Sequence, residues 1–323
     1  MRIAFLVALV SILTSADTRA AGPNWIPGQV KLCDRSCLMG MMDRYTDALI
    51  GHDRAGVPFA EDVRFTENTA LVSPGDGILW RAKTEPAAFK YYVADPTAGQ
   101  VAIGTLWKVQ GRPALVAIRL KVERGRLLEI EHLVDRNVQE RQMPNLQTPR
   151  PGLLNDVPAS ERTPREVMIA AANSYFDAIE GDSEKTGAFA DDCERHENGI
   201  QTTLTKEPTT GMLASGLPSK LYMMTCSDQI DTKLFAYIHK IIHKIGPRRV
   251  LIVDEQKGLV ATFPLLHPRW LETRRYERQC RHAHQHGLPR DVRNSWRQIH
   301  EVEAFPFPVW ARRRLDAGFR PLI

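Results

Sequence analysis

The chain has 323 residues, of which 43% are hydrophobic and 25% charged, and a formal net charge of +5. Those fractions sit near the globular average, which excludes a disordered chain and a multi-span membrane protein, and the length suits two domains of ordinary size. The charge is uneven: residues 268–323 carry twelve Arg against six acidic residues, leaving the remainder at about −1.

The chain opens on Arg2, an apolar run from Ile3 to Leu13, and Thr18-Arg19-Ala20 with small residues at the two positions a signal peptidase reads. Such a run is too short for a stable bilayer span, so residues 1–20 are expected to be a cleaved signal peptide, the alternative being a retained anchor. The expectation is an exported protein, periplasmic or secreted, with no membrane span after cleavage. Five cysteines then meet an oxidising compartment. Cys193 and Cys226 are the first choice for a disulfide. Cys33 and Cys37 could bridge ahead of the first helix, where the chain is not yet held in regular geometry. Cys280 is left over.

An internal repeat organises the rest of the chain. Residues 43–68 (DRYTDALIGHDRAGVPFAEDVRFTEN) align without a gap on residues 173–198 (NSYFDAIEGDSEKTGAFADDCERHEN), at a constant shift of 130. Tyr45 meets Tyr175, Asp47 meets Asp177, and Glu67-Asn68 meets Glu197-Asn198. After a change of register, Asp95, Gly99, Val101 and Ala102 match Asp254, Gly258, Val260 and Ala261, each set inside a β-hairpin pattern. A period this long means duplicated domains and not a solenoid.

Each half opens with an amphipathic helix: Leu38, Met41, Tyr45, Ala48 and Leu49 in the first, and Met168, Ala172, Tyr175, Phe176 and Ile179 in the second. Thr163-Pro164-Arg165-Glu166 reads as a capped helix start. The first half closes with two alternating strands over 114–123 and 127–134, joined by a tight turn at Arg124-Gly125. Residues 137–163, rich in Pro, Asn and Gln, read as a linker. Ile230, Leu234, Tyr237, Ile238, Ile241 and Ile245 give a helical period in the second half. After His267 the alternation stops. The one stretch resembling a strand is Gln298 to Phe305, and a shifted reading frame or divergence is one reading of the tail.

A leading helix, the Tyr-x-Asp-Ala core, a variable loop and a sheet ending Arg-Leu-Lys-Val-x-x-Gly-Arg-Leu-x-Glu-Ile-Glu together resemble the NTF2-like superfamily, which includes SnoaL-like cyclases and ketosteroid isomerase. Within it, Tyr175-Phe-Asp-Ala-Ile-Glu-Gly-Asp and Phe189-Ala-Asp-Asp-Cys-Glu-Arg-His-Glu-Asn-Gly-Ile-Gln-Thr-Thr resemble a tandem, DUF8021-like group. The resemblance covers roughly residues 30–267. It implies an α+β fold of two tandem cones, each with helices packed on a strongly curved, mostly antiparallel sheet around a pocket; this sequence departs from that pattern after His267, where the closing strand pair of a complete second copy is not evident. The boundaries implied are 30–136 for the first copy, 137–163 for the linker, 164–267 for the second copy, and 268–323 for an atypical tail. The activity implied is binding, or isomerisation and related conversion, of a small organic molecule. The alternative is a non-catalytic assembly module with filled pockets, and a homo-oligomer fits either reading.

Candidate chemistry is sparse. Glu67-Asn68 and Glu197-Asn198 place a carboxylate beside an amide at a sheet end, where they either hold a hydroxylated ligand or anchor a turn. Trp80 and Tyr92, with Tyr91 and Trp107, supply either an aromatic pocket or core packing. Arg119 on an apolar strand needs a partner if it points inward, and Glu129 or Glu131 could provide one. His239 and His243 have the i,i+4 spacing of metal ligands, but no acid of a metalloprotease motif lies between them. A P-loop, a dinucleotide fingerprint and a Ser nucleophile elbow are absent, so no cofactor or metal is expected. The Arg-rich tail would attract anions, but export argues against nucleic acid as a partner.

Overall fold

In the computed structural model the residues described are 33–86, 90–181, 188–206, 219–230, 242–268 and 298–304. The leader, His239, Cys280 and most of the Arg-rich tail lie outside them. The first helix, α1 (Arg35–Gly51), starts where the Asp34 side chain accepts from the Cys37 backbone N–H at 2.9 Å. A side-chain cap of this kind satisfies an N–H that the first turn leaves without a partner. The helix ends at His52, which adopts the left-handed conformation (φ 54°). Its Leu38, Met41, Met42, Tyr45 and Leu49 are buried, at the spacing the sequence shows.

These side chains cover one face of a seven-stranded sheet. Its strands are β1 (Phe59–Glu67), β2 (Ala70–Leu71), β3 (Thr84–Glu85), β4 (Tyr91–Asp95), β5 (Gln100–Val109), β6 (Arg112–Glu123) and β7 (Arg126–Asp135). The order is β2-β1-β7-β6-β5-β3, with β4 also paired to β5. Within this sheet only β1 and β7 run parallel. A short helix, α2 (Ile78–Arg81), lies between β2 and β3. Arg124 and Gly125 both take positive φ (49° and 74°), the two-residue hairpin geometry the sequence suggests between β6 and β7. Along β6, Ala114, Val116, Ile118, Leu120 and Val122 join the core with α1, while Leu115 and Arg119 sit on the opposite face by strict alternation.

Residues 137–163 are more than a linker. They form α3 (Met143–Leu146), α4 (Pro151–Leu154) and two short 3-10 turns, and bury Gln142, Leu146 and Leu153. Leu146 packs with Leu106 and Leu115 on the outer face of the first sheet. Polar, Pro-rich composition concealed this, because the three anchoring residues follow no period.

The second set of elements begins with α5 (Arg165–Glu180), whose N-cap position is Pro164. Then come β8 (Phe189–Glu197), β9 (Ile200–Gln201), α6 (Cys226–Ile230), β10 (Ile242–Asp254), β11 (Leu259–Pro268) and β12 (Ile299–Ala304). Where the sequence suggests a helix through Ile245, Ile242 instead opens β10, paired antiparallel with β11, so His243 lies on a strand. Residues 231–241 are outside the described set. The Ile-rich spacing suits either element, and a paired strand decides between them. β12 comes from the stretch beyond the expected end of the second copy. It runs parallel to β8 with Phe189 opposite Ile299 and Glu197 opposite Ala304. β1 and β7 show the same arrangement, Phe59 opposite Leu127 and Glu67 opposite His132, with a register shift at the corresponding place. β12 therefore stands to β8 as β7 stands to β1.

The two sets meet through β4 and β10, and the contacts are reciprocal. Arg35, at the start of α1, donates to Asp254 at 2.6 Å, while Arg165, at the start of α5, makes a bidentate pair with Asp95 at 2.9 and 2.5 Å. Asp254 also accepts from the Ala94 N–H and Asp95 from the Val253 N–H, both at 2.9 Å. Each carboxylate accepts from its own hairpin turn as well, Asp95 from Ala98 and Asp254 from Lys257. Val93, Ala102 and Ile252 are buried between the latches. Asp95 and Asp254 are 0% and 1% exposed, a burial a carboxylate tolerates only with this many donors.

Candidate functional site

Glu67 ends β1, and the chain then turns through Asn68 (φ 48°) and Thr69 (φ 70°). Asn enters this left-handed region more readily than most residues. The Asn68 amide accepts from the Val134 N–H at 2.8 Å and donates to the Val134 carbonyl at 3.1 Å, extending the β1–β7 pairing by a side chain. The Glu67 carboxylate accepts from the Ile78 N–H at 2.6 Å, at the start of α2. Gly77 makes that approach feasible, since a Cβ there would lie 2.6 Å from Glu67 Oε2 and 2.8 Å from the Phe65 ring.

Behind Glu67 lies a buried polar chain. His132 Nδ1 is 3.4 Å from Glu67 Oε2, and His132 Nε2 is 2.9 Å from the Tyr45 hydroxyl. Burial holds the Tyr45 phenol protonated to well above its usual pKa, and burial lowers the His132 pKa against the opposing pull of Glu67. A neutral imidazole between a phenol and a carboxylate accepts at Nε2 and donates at Nδ1. Burial raises the Glu67 pKa, but His132 and the backbone N–H groups of Ile78 and Leu79 outweigh it and hold the carboxyl below its ordinary value. Trp80 packs edge-on against Tyr45 with ring centroids 5.7 Å apart, its indole N–H beside the hydroxyl without full hydrogen-bond geometry. Phe65 lies edge-on to His132 at 4.7 Å. Aromatic rings thus fill the space between α1 and the sheet. Outside them is an open cleft of about 430 Å³, lined by Glu67, Asn68, Ile78 and residues 134–137.

The residues singled out from sequence are dispersed. Glu67 and Asn68 reach the cleft, and Trp80 stands behind it. Tyr92 donates instead to Asp43 on α1, beside Lys90. Arg119 lies on the outer sheet face, bonded to Glu129 (2.7 Å), Glu131 (3.1 Å) and Gln100 (2.7 Å). Arg249 of β10 reaches the same Glu131 at 2.6 Å, so Arg119 belongs to the junction between the two sets. Tyr45 and His132 join Glu67, although the helical spacing places Tyr45 in the core and no motif singles out His132. A histidine at an inward position of an otherwise apolar alternating strand was the available signal.

The second set rearranges these parts. Arg195, one turn of the pleat before Glu197 on β8, takes the position of Phe65, and Ala304 takes that of His132. The Arg195 guanidinium is 3.2 Å from Glu197 Oε1, with Tyr175 beside it. Arg195 also donates to Thr202 at 2.9 Å and to Gln229. Around the Asn198-Gly199 turn the linker closes in: Gln142 donates to the Asn198 carbonyl at 2.8 Å and Asn145 to the Gly199 carbonyl at 2.9 Å. Cys193 and Cys226 are disulfide-bonded beside this cluster, with Cα atoms 5.7 Å apart, and Cys33 and Cys37 are bonded with Cα atoms 5.2 Å apart. Among the described residues no His, Cys, Asp and Glu grouping suits a metal ion, and no helix is long and apolar enough to cross a membrane.

A family model matches residues 161–305. Its description is "Domain of unknown function (DUF8021)". The matched span begins just before α5 and ends just after β12. No curated protein matches the chain. Solved structures similar to parts of it include an NTF2-like protein of unknown function from Cytophaga hutchinsonii (10% identity, 30% of this chain and 89% of that one, TM-score 0.26). Another is AclR from Streptomyces galilaeus, provisionally described as a hydroxylase (13% identity, 43% and 97% covered, TM-score 0.27). Likeness at these scores carries no argument about fold or activity.

The second set holds a pH-sensitive group. His196, 5% exposed, has its pKa lowered from 6.5 to about 4 by burial and by the charge of Arg150, against the pull of Glu194. The unfolded chain takes up this proton below about pH 6.5 and the folded chain resists it, so the stabilisation is full above pH 6.5 and is lost as pH falls toward 4. Burial lowers the His132 pKa in the same sense. The urea midpoint is expected to fall between pH 6.5 and pH 4, and His196→Gln to reduce that fall; an unchanged slope in the variant would assign the effect elsewhere.

Proposed function

We propose that the chain is an exported tandem NTF2-like protein whose two copies form one scaffold and whose first copy binds a small organic molecule at the Glu67 cleft. The observation carrying this reading is the Glu67 carboxylate. It is held ionised at the wall of an open cleft of about 430 Å³ and backed by a buried imidazole and phenol. A carboxylate so fixed is a preorganised hydrogen-bond acceptor, and also a base within reach of a bound ligand. The repeated register of β1–β7 and β8–β12, and the reciprocal Arg–Asp latches, support the tandem arrangement. Export is supported by the residues at the start of the chain and by the two disulfides.

A second reading, the non-catalytic assembly module, is favoured by the aromatic filling behind Glu67, where Tyr45 and Phe65 are each 1% exposed. Native mass spectrometry of protein purified from its own host separates the two. The binding reading expects a stoichiometric small molecule, lost in Glu67→Gln, on a chain lacking residues 1–20. Bare wild-type protein would move the conclusion to the assembly module, and a retained leader would overturn export.

A further inference from the structure

The two copies differ in how they neutralise the equivalent carboxylate. Glu197 has a guanidinium 3.2 Å away, supplied by Arg195 from within its own strand. Glu67 has Phe65 at the place of that arginine and a neutral histidine as its side-chain partner. The groups that hold Glu67 ionised are His132 and the backbone N–H groups of Ile78 and Leu79, with no Lys or Arg among them. Its side chain is only 12% exposed. A carboxylate this far from water favours a positive partner strongly, because the low local dielectric magnifies both its charge and any charge brought to it. The hydrogen-bond inventory agrees. A carboxylate has about four acceptor positions, and the Ile78 N–H at 2.6 Å and His132 Nδ1 at 3.4 Å fill two of them, leaving capacity toward the cleft. Arg136, the cation in the cleft wall, donates to Gln110 at 3.2 Å.

We propose that the Glu67 cleft takes a small organic ammonium ion, whose charged N–H group donates to the Glu67 carboxylate from the cleft side and supplies the positive charge that Arg195 supplies to Glu197 in the second copy. The inference rests on the cleft being a ligand site and adds the charge of the ligand. The second copy needs no such ligand, since Arg195 supplies the charge and the linker residues Gln142 and Asn145 bond across its turn.

The test is titration of the full-length protein with benzylammonium and, separately, with neutral benzyl alcohol, following the backbone amide resonances of Ile78, Asn68 and Val134. Benzylammonium is expected to shift these resonances and bind at least about tenfold more tightly than the alcohol. Glu67→Gln, close to isosteric, is expected to remove that preference. Phe65→Arg, which writes the second copy's arrangement into the first, is expected to abolish binding, and Glu67→Gln carries the test if that variant does not fold. Equal binding of amine and alcohol at these amides, or an unchanged preference in Glu67→Gln, would overturn the ammonium inference while leaving the cleft as a ligand site. No shift with either probe would count against both.

Discussion

Asp254→Ala is expected to destabilise the protein by about 3–5 kcal/mol, the usual cost of leaving a buried charge without its partner. The Asp254 side chain is fully buried and accepts from Arg35, from the Ala94 N–H and from the Lys257 N–H. The substitution leaves the partly buried Arg35 guanidinium with no carboxylate and only the Ala94 carbonyl at 3.4 Å, and it strips the buried Ala94 N–H of its side-chain acceptor. Asp95→Ala, which strips Arg165 and the Val253 N–H, is expected to cost a similar amount because the latches are reciprocal. Urea denaturation followed by far-UV circular dichroism gives both values. The pairing itself is read from the double-mutant cycle of Arg35→Ala with Asp254→Ala, where a coupling below about 0.5 kcal/mol would mean that the latch contributes nothing beyond its separate parts. Loss of Asp254 is also expected to separate the unfolding of the two sets of elements. Two transitions in the variant where the wild type shows one would make the latches the source of cooperativity.

The second large effect concerns Cys193 and Cys226, which are 33 residues apart in sequence. Closing a loop of that length restricts the unfolded chain, and the loop-entropy relation gives roughly 3–4 kcal/mol. The paired substitution Cys193→Ser with Cys226→Ser is expected to lose about that much, read from the denaturation midpoint under non-reducing conditions. Cys33 and Cys37 are only 4 residues apart, and the same relation assigns them about 2 kcal/mol. Equal losses from the two pairs would show that local packing, and not loop closure, governs the contribution. Such packing is present at the longer bridge: Cys193 and Cys226 are 0% and 2% exposed, within a cluster that includes Phe189 and Ala178.

Much of the scaffold is legible in the residues because it depends on short-range pattern. The apolar stripe of α1 and the hairpin at Arg124-Gly125 are properties of neighbouring residues, and each appears in the structure as an element or a turn. The helical reading past residue 241 fails because the Ile spacing fits two periods and the strand β11 is not part of the local signal. β12 is visible in the sequence only as an isolated alternating stretch; it becomes a strand through pairing with β8, 110 residues earlier at the Ile299–Phe189 pair.

The candidate site is half legible. The Glu-Asn pair, which occurs at 67–68 and again at 197–198, points to Glu67, since a pair that recurs within one sequence stands out. His132 does not stand out, because the strand paired with β8 carries Ala304 opposite Glu197, and Glu197 has its cation from Arg195 on its own strand. The helix faces, the hairpin turns and the residue types available to a site can all be read from the order of the residues. That Arg35 answers Asp254 and Arg165 answers Asp95, and that one Glu faces a neutral imidazole and the other a guanidinium, emerges only when the strands are assembled. The physical reason is range. Periodicity and turn chemistry act over a few residues, whereas the charge balance of a buried carboxylate is set by whichever strand and helix ends the fold brings beside it.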